Sequence, residues 1–416
     1  MDLEFLKVYE KLNSLNEDAN YTRRGDVGLV IEDGMLLDVG MDVVDLVIPD
    51  GITEIAASAL ADHDKLKTVT LPNSITVIGR SAFRGCKSLT SITLPDSVMH
   101  IGNSAFLLCT GLTAVNLPNS VTTIGKSAFS GCSNLTSVIW NATNCTTAGS
   151  TSYPIFSGCP NLTTVTFGNK VKKVPADAFS GCSGLTSVTI PDSVTSIGEG
   201  AFSGCETLTS ITFGSRVTTI EYGAFANCPC LASVTIPNST TSIGEAAFYS
   251  CSGLTSVTIG NSITNIGNRA FHSCTNLTSV TLPSSLIRLG KQAFTACDNL
   301  TSINIPNSVT VIDEAVFFLS GLTSITLPNN ITAIEAFTFK DCKALTSVTI
   351  PATVKNIKDW AFAGCTHLTS IIFTGTMSQW KAITKAYDND RTTARAWDRD
   401  IPTSCIISCT DGKLNI

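Results

Sequence analysis

Cysteine is the residue type in this sequence best suited to chemistry, because a thiolate can attack an electrophile or bind a metal ion. The chain has sixteen cysteines. Twelve of them recur in one slot of an internal repeat: Cys86, Cys109, Cys132, Cys159, Cys182, Cys205, Cys228, Cys251, Cys274, Cys297, Cys342 and Cys365. Equivalent residues of stacked repeats have nearly parallel Cα–Cβ bonds, which are poorly oriented for a disulfide. We therefore predict a ladder of twelve reduced, buried thiols, and His63 and Ser320 fill the same slot elsewhere.

Four cysteines lie outside this ladder: Cys145, Cys230, Cys405 and Cys409. Cys405 and Cys409 are close enough in sequence to form a bridge or to hold a metal ion together. No further ligands follow them at a suitable spacing, however, so a structural role is favoured for both residues.

Motifs of other catalytic and metal-binding classes are missing from the sequence. The four histidines belong to no H-E-x-x-H or comparable pattern, and there is neither a G-x-S-x-G elbow nor a Walker loop. Residues Asp388, Asn389 and Asp390 begin like a calcium loop but lack the glycine and the late glutamate that complete one. We therefore expect a protein that is not an enzyme and that uses no cofactor and no metal ion.

The elements that position these residues come from a repeat that runs through most of the chain. Its leading leucine recurs every 23 residues, apart from a 27-residue step after Leu135 and a 22-residue step after Leu300. The full series is Leu66, Leu89, Leu112, Leu135, Leu162, Leu185, Leu208, Leu231, Leu254, Leu277, Leu300, Leu322, Leu345 and Leu368. A phenylalanine ladder from Phe83 to Phe362 keeps the same register. A fixed period of this length predicts a solenoid, in which each repeat forms one coil and stacks on its neighbours.

The repeat at residues 185–207, LTSVTIPDSVTSIGEGAFSGCET, shows how one coil is built. Val188 and Ile190 alternate with polar residues, as expected of a short strand with one face inward. The proline that follows ends the strand because it has no amide hydrogen. Gly198 marks a further bend, and Ala201–Cys205 returns inward in a segment too short for more than one turn of α-helix or 3₁₀-helix.

The repeated pattern L-x-x-V-x-I-P-x-S-V-x-x-I-G-x-x-A-F-x-G-C resembles the BspA-like, treponemal-type class of leucine-rich repeat over residues 43–373. The resemblance implies an α/β repeat solenoid, namely a right-handed leucine-rich-repeat coil with a parallel β-sheet, short 3₁₀ or helical turns and end caps. It also implies surface adhesion or binding of host proteins, and a cell-surface or secreted location.

Three segments are predicted along the chain: 1–42 as an N-terminal helix and cap, 43–373 as about fourteen coils, and 374–416 as a C-terminal cap. The amphipathic helix covers residues 1–20, where apolar side chains recur at near-helical spacing. Caps are needed because the end coils of a stack have one open face. Trp380 and Trp397 lie in the last segment, where they either belong to the cap or form a ligand site.

Charge and hydropathy argue against several classes of partner. Only 14% of the residues are charged, the net charge is −6 and the pI is about 5.3, which disfavours nucleic acid and anionic membranes. No apolar run approaches the ~18 residues of a membrane span, so we expect no membrane insertion. Residues 1–20 do not resemble a signal peptide, because Asp2, Glu4 and Lys7 interrupt any apolar core. A cytoplasmic location therefore stays open beside the cell surface.

The region from Asn141 to Lys173 is the candidate partner-binding surface, because it interrupts an otherwise uniform, weakly charged repeat. Residues 141–154 lengthen their coil and are expected to leave it as a surface loop. A basic cluster on an acidic protein favours an acidic partner. The candidate residues are Tyr153, Lys170, Lys172 and Lys173. The alternative is a tolerated insertion beside a solvated lysine patch.

We therefore predict a non-catalytic recognition or adhesion module, monomeric, that binds a protein or glycan through the surface of its solenoid. The alternative is a structural spacer, or a component of a cell-surface or phage tail assembly. Regular outward columns of Ser and Thr also suggest ice binding as a hypothesis. This hypothesis is weakened because one of the two columns is serine.

Overall fold

The fold is described from a computed structural model, which places residues 28–150, 152–386 and 397–416. The helix predicted over residues 1–20 and the Asp388–Asp390 segment lie outside these ranges. Contacts divide the chain into two units: residues up to Val194 together with Gly200–Glu206, and Thr195–Glu199 together with Thr207–Ile416. Each unit is a stack of coils, and most coils contain one strand of three or four residues and one strand of two residues.

The first unit begins with a hairpin and continues as coils. Its strands are β1 (Val30–Glu32), β2 (Met35–Asp38), β3 (Asp45–Val47), β4 (Glu54–Ile55), β5 (Thr68–Thr70), β6 (Val77–Ile78), β7 (His100–Ile101), β8 (Ala114–Leu117), β9 (Thr123–Ile124), β10 (Ser137–Trp140), β11 (Thr147–Ala148), β12 (Thr164–Phe167), β13 (Lys173–Val174) and β14 (Ser187–Thr189). The short strands form a sheet in the order β1-β2-β4-β6-β7-β9-β11, and the longer ones form β3-β5 and β8-β10-β12. Only β1 and β2 pair antiparallel within these sheets.

The second unit repeats this arrangement. Its elements are β15 (Ser196–Ile197), β16 (Ser210–Thr212), β17 (Thr219–Ile220), β18 (Ser233–Thr235), β19 (Ser242–Ile243), β20 (Ser256–Thr258), β21 (Asn265–Ile266), β22 (Ser279–Thr281), β23 (Arg288–Leu289), β24 (Val311–Ile312), β25 (Ser324–Thr326), β26 (Ala333–Ile334), β27 (Ser347–Ile350), β28 (Asn356–Ile357), β29 (Ser370–Phe373), α1 (Met377–Ala382), β30 (Thr384–Lys385), β31 (Ile406–Cys409) and β32 (Gly412–Asn415). The strand orders are β15-β17-β19-β21-β23-β24, β18-β20-β22, β26-β28-β30 and β25-β27-β29-β31-β32. All pairs are parallel except β31 with β32.

The register of the sheets follows the 23-residue period. Ser256, Val257 and Thr258 pair with Ser279, Val280 and Thr281, so each residue lies beside its equivalent in the next coil. Because of this pairing, each inward side chain stacks on its equivalents in the adjacent coils and forms a ladder. The predicted parallel-sheet solenoid of leucine-rich repeats is therefore confirmed.

The phenylalanine ladder forms the centre of each stack. The rings of Phe248 and Phe271 are 5.4 Å apart and 1° from parallel, and Phe294 continues the column at 5.4 Å. In the first unit, Phe83 and Phe106 stack at 5.0 Å. These side chains have no exposed surface. Burial of each ring contributes on the order of 2–3 kcal/mol before entropy is counted.

The predicted cysteine ladder is buried, and all sixteen cysteines of the chain are free thiols. Their sulfur atoms also do something that the sequence did not indicate. The Sγ of Cys109 donates to the carbonyl oxygen of Phe83 at 2.9 Å, and that of Cys251 donates to Phe225 at 3.1 Å. Burial raises the pKa of the Cys205 thiol to about 12, so it stays protonated and remains a donor at neutral pH.

The segment around the phenylalanine forms separate turns in place of the predicted helical turn. The amides of Leu107 and Cys109 bond to carbonyls three residues earlier, at 3.0 and 3.2 Å. The alternate amides bond instead to the next coil, as Phe106 does to Ala128 at 2.7 Å and Leu108 does to Ser130 at 2.8 Å. Ser104 and Leu108 have positive φ angles of 55° and 61°, which prevents a continuous helix. Within the described ranges, α1 is the only helix.

The glycine that precedes this segment is required for a reason other than the predicted bend. A Cβ on Gly267 would lie 2.5 Å from the carbonyl carbon of Gly244, in the preceding coil. A Cβ on Gly102 would lie 2.6 Å from the amide nitrogen of Arg80. Neither glycine has a positive φ angle, so the slot selects glycine because two backbones approach closely there.

We expect Phe271→Ala to lower the free energy of unfolding by about 3–5 kcal/mol, because the cavity between Phe248 and Phe294 can close only in part. Hydrogen exchange followed by mass spectrometry should rise mainly in residues 243–300, because each coil contacts only its neighbours. Thr258→Ala, an exposed change in the same coil, is the control and should stay within about 0.5 kcal/mol of wild type. Equal acceleration at both ends of the chain would contradict this prediction.

Thiol titration with DTNB tests the cysteine ladder. In native protein we expect exposed Cys230 to react rapidly and the twelve ladder thiols to stay blocked, because the reagent cannot reach them. In denaturant without a reductant, all sixteen thiols should react. Oxidation of most ladder thiols before denaturation is the result that this prediction does not allow.

Candidate functional site

The 27-residue coil that starts at Leu135 stays largely within the stack. Ala142, Cys145 and Ala148 are buried, and Thr147–Ala148 pairs with the preceding coil. The prediction that residues 141–154 leave the coil as a loop is therefore wrong for most of the segment. Three of the four extra residues fall after Ala148, where Ser150 and Tyr153 bridge each other. Apolar side chains at repeat positions hold the rest of the segment in the coil.

A polar groove forms where this coil departs from the repeat. Most coils carry a proline six residues after the leading leucine, as at Pro95 and Pro118, but Asn141 and Gly168 take that position here. The Nδ2 of Asn141 donates to the Oδ1 of Asn116 at 3.0 Å. A Cβ on Gly168 would lie 2.4 Å from the Oδ1 of Asn141, so the missing side chain makes room for the Asn141 amide.

The groove has a volume of about 260 Å³ and crosses four consecutive coils of the first unit. Its polar lining consists of Asp96, Asn116, Asn119, Asn141, Thr143, Asn169 and Lys170. The buried side chains of Leu94 and Pro118 also contribute to it. The groove thus presents amides, one carboxylate and one ammonium group beside a small apolar area.

Four of these polar side chains are available to a ligand. Asp96, Asn119, Asn169 and Lys170 are exposed. Their side chains make no hydrogen bond or ion pair with any residue that the structure describes. A ligand could therefore bind them without breaking a contact to any described residue.

Tyr153 and the three candidate lysines occupy different positions in their coils. The Tyr153 ring is 55% exposed and lies after β11, where the ammonium group of Lys126 is 5.5 Å from its centroid. Lys170 lines the groove before β13, whereas Lys173 is part of β13. Lys172 is exposed beside it. The structure brings Lys170 together with Asn141, a residue that the sequence marked only as the start of a loop.

Trp380 and Trp397 lie inside the C-terminal end of the chain. They are 4% and 2% exposed, and their rings meet edge to face at 6.1 Å. Trp397 also packs against Phe362, the last ring of the ladder. Helix α1, which carries Trp380, starts at a capping box between Thr376 and Gln379. This burial favours the interpretation of both tryptophans as cap residues over a ligand site.

A second surface feature was missed in the sequence. The Lys340 ammonium group lies 4.7 Å from the Trp360 ring centroid, 5.4 Å from that of Phe318 and 5.9 Å from that of Phe337. Phe337 and Trp360 have positive φ angles, in a slot where most other coils carry Ser, Ala or Gly and three carry Asp, Arg or Gln. Two aromatic residues in this mostly small slot were the signal that could have revealed the cluster.

Neither a metal site nor a membrane span is found in the described ranges. They contain no group of three or more His, Cys, Asp or Glu side chains that could hold a metal ion. No helix in these ranges is long and apolar enough to cross a bilayer.

Known proteins provide an independent comparison. A family profile described as a BspA type leucine rich repeat region, of six copies, matches residues 40–154, 150–278 and 264–389. The chain is similar to a leucine-rich repeat protein from Bacteroides ovatus, with 25% identity, a TM-score of 0.64, and coverage of 89% of this chain and 90% of that one. No match was found among curated proteins.

Two further solved structures share the repeat at lower TM-scores. A leucine rich cell surface protein from Faecalibacterium prausnitzii is 27% identical over 88% of this chain and 99% of its own, with a TM-score of 0.44. A leucine rich repeat protein from T. pallidum is 30% identical over 42% of this chain and 72% of its own, with a TM-score of 0.33. The first comparison, with the Bacteroides ovatus protein, supports the stack of coils.

We expect Trp397→Ala to lower the free energy of unfolding by about 3–5 kcal/mol, because the ring fills space between Phe362 and Trp380. Urea denaturation, together with hydrogen exchange in residues 362–373, measures the effect. Tyr153→Ala removes an exposed aromatic ring and should cost less than about 1 kcal/mol. A loss at Trp397 no larger than that at Tyr153 would instead favour the tryptophan ligand site.

Proposed function

The chain belongs to the BspA-type leucine-rich repeat family, and we propose that it is a non-catalytic recognition module that binds a protein or glycan at a cell surface. Its interior is filled by packed side chains, so the outer surface of the coils is what a partner can contact. Extended surfaces of stacked repeats are suited to binding large partners.

The observation that carries this proposal is the groove at Asn141 and Lys170. Apart from the aromatic cluster around Lys340, the other coils repeat nearly the same surface, which offers little to discriminate one partner from another. At the groove, the repeat residues change and several polar side chains face solvent without a partner in the described part of the chain. Loops and irregular positions on a rigid scaffold are common binding sites. We include Tyr153, Lys170, Lys172 and Lys173 in the proposed contact region.

A cell-surface or secreted location is part of the same proposal, since the family resemblance implies it. A catalytic role has no support from the arrangement of side chains. The described residues contain no group of three or more side chains that could hold a metal ion, and burial raises the pKa of ladder thiols such as Cys205 and Cys342. A buried protonated thiol is a poor nucleophile.

A structural spacer remains the second candidate, and one observation favours it. Outward threonine hydroxyls are bonded between coils, as Thr278 donates to the Thr255 carbonyl at 3.0 Å and Thr346 to that of Thr323 at 2.9 Å. These hydroxyls therefore stiffen the stack. A spacer requires only this stiffness, whereas a recognition module must also bind a partner.

Adhesion of coated beads tests the proposal. Beads that carry the full chain should attach to bacterial or cultured animal cells in a saturable manner, and soluble chain should compete. Beads coated with the urea-unfolded chain provide the baseline. Attachment no greater than this baseline on every cell type would reject recognition and favour the spacer.

The contact region is tested with a triple variant, Lys170→Ser, Lys172→Ser and Lys173→Ser. We expect attachment to weaken at least about threefold and to lose part of its salt dependence, because exposed charges act mainly through long-range attraction. A matched triple variant at exposed Lys67, Lys381 and Lys413 removes the same charge elsewhere and should bind like wild type. An equal effect of both variants would assign the loss to net charge alone.

A further inference from the structure

We propose that the groove between Asp96 and Lys170 binds an acidic oligosaccharide, whose hydroxyls pair with the asparagine amides and whose carboxylate pairs with Lys170. This inference rests on the proposed recognition function and names the ligand of its site.

The amides are spaced as a chain of hydroxyl groups requires. Asn119, Asn141 and Asn169 come from three consecutive coils, and paired strands of adjacent coils are about 4.8 Å apart. Each amide offers both hydrogen-bond donors and an acceptor, which matches a hydroxyl group that also does both. A saccharide that lies along the stack therefore meets one amide in each coil.

The existing hydrogen bond orients part of this array. The Asn141 amide donates to Asn116, which leaves the Oδ1 of Asn141 as an acceptor beside Gly168. Asn119 and Asn169 lie on either side of it along the stack, and their amides are unpaired among the described residues. One amide is thus held in place while two adapt to the ligand.

Charge determines which saccharide fits. Lys170 is the only cation among the groove residues, and it has no ion pair with any described residue. An ammonium group binds a carboxylate more strongly than a neutral hydroxyl. Asp96 lies three coils away, about 14 Å at 4.8 Å per coil, where it repels an acid and accepts hydroxyl protons. The two charges therefore favour an acidic sugar at the Lys170 end.

The lining suits a sugar better than a protein side chain. Protein interfaces concentrate their energy in aromatic and Arg anchors that fill apolar pockets. This groove contains no aromatic residue, and its apolar part is limited to Leu94 and Pro118. That area can contact the C–H face of a pyranose ring, while the surrounding amides bind its hydroxyls.

The test uses ligand-observed NMR and calorimetry with the full chain and three acidic probes. The probes are trisaccharides or tetrasaccharides built from galacturonate, from mannuronate, or from glucuronate alternating with N-acetylglucosamine. Each is paired with the same oligosaccharide after reduction of its carboxyl groups to alcohols. We expect at least one acidic probe to bind about tenfold more tightly than its reduced form, with an affinity that falls as salt is added.

Substitutions place the binding in the groove. Lys170→Gln should weaken the acidic probe about tenfold and leave its reduced form unchanged, whereas Asn119→Ala and Asn169→Ala should weaken both forms about threefold to tenfold. These side chains bond to nothing in the described part of the chain, so the variants should fold like wild type by circular dichroism. Asn261→Ala is the matched control. Asn261 occupies the slot of Asn169 in another coil and also follows a glycine, but it precedes a serine where Asn169 precedes Lys170.

Several results would overturn this proposal. Failure of all three probes to bind, equal affinity for acidic and reduced forms, or an equal effect of Asn261→Ala would each do so. Tighter binding of hexaglutamate than of every saccharide, lost in Lys170→Gln, would replace the sugar with an acidic peptide. If beads adhere to cells but the groove variants adhere normally, the ligand assignment fails while the recognition function stands. If nothing adheres, the recognition function itself fails.

Discussion

Every coil must place its backbone about 4.8 Å from the next one, and the rest of the structure depends on this spacing. A single coil is too small to enclose its own apolar side chains, so they become buried only against their equivalents in adjacent coils. The parallel rings of Phe248 and Phe271, 5.4 Å apart, are the direct result. The same constraint selects Gly267, because any side chain there would collide with the backbone of Gly244.

The spacing also explains why so few charged residues are needed. Polar side chains that recur in each coil can donate hydrogen bonds to the backbone of the preceding coil. The Ser120 hydroxyl donates to the Val98 carbonyl at 2.6 Å, and the Cys109 thiol donates to the Phe83 carbonyl at 2.9 Å. Small hydroxyls and thiols make these bonds in addition to exposed ion pairs between coils, such as Lys291 with Glu314. A stack bonded in this way has a rigid outer surface with few groups left to bind a partner.

A regular stack can acquire a specific surface only where the residues of a slot change. Asn141 and Gly168 replace the usual proline and open a polar groove that includes Lys170. Phe337 and Trp360 replace small residues at positive φ angles and surround Lys340 with aromatic rings. In both places the backbone keeps the repeat, so new chemistry is added without loss of the fold. A recognition function located at such positions is compatible with a uniform interior.

The sequence by itself determined the period, the parallel register and the buried ladders, because a side chain repeated every 23 residues has only its equivalents to pack against. It did not determine the path of residues 141–154, since Ala142, Cys145 and Ala148 become inward residues only once the adjacent coils fix the alignment. Nor did the sequence show that Asn141 bonds to Asn116 and lines a groove with Lys170, because the three residues lie in different coils. Those contacts arise from stacking, which brings together residues a whole repeat apart, and only the tertiary structure decided them.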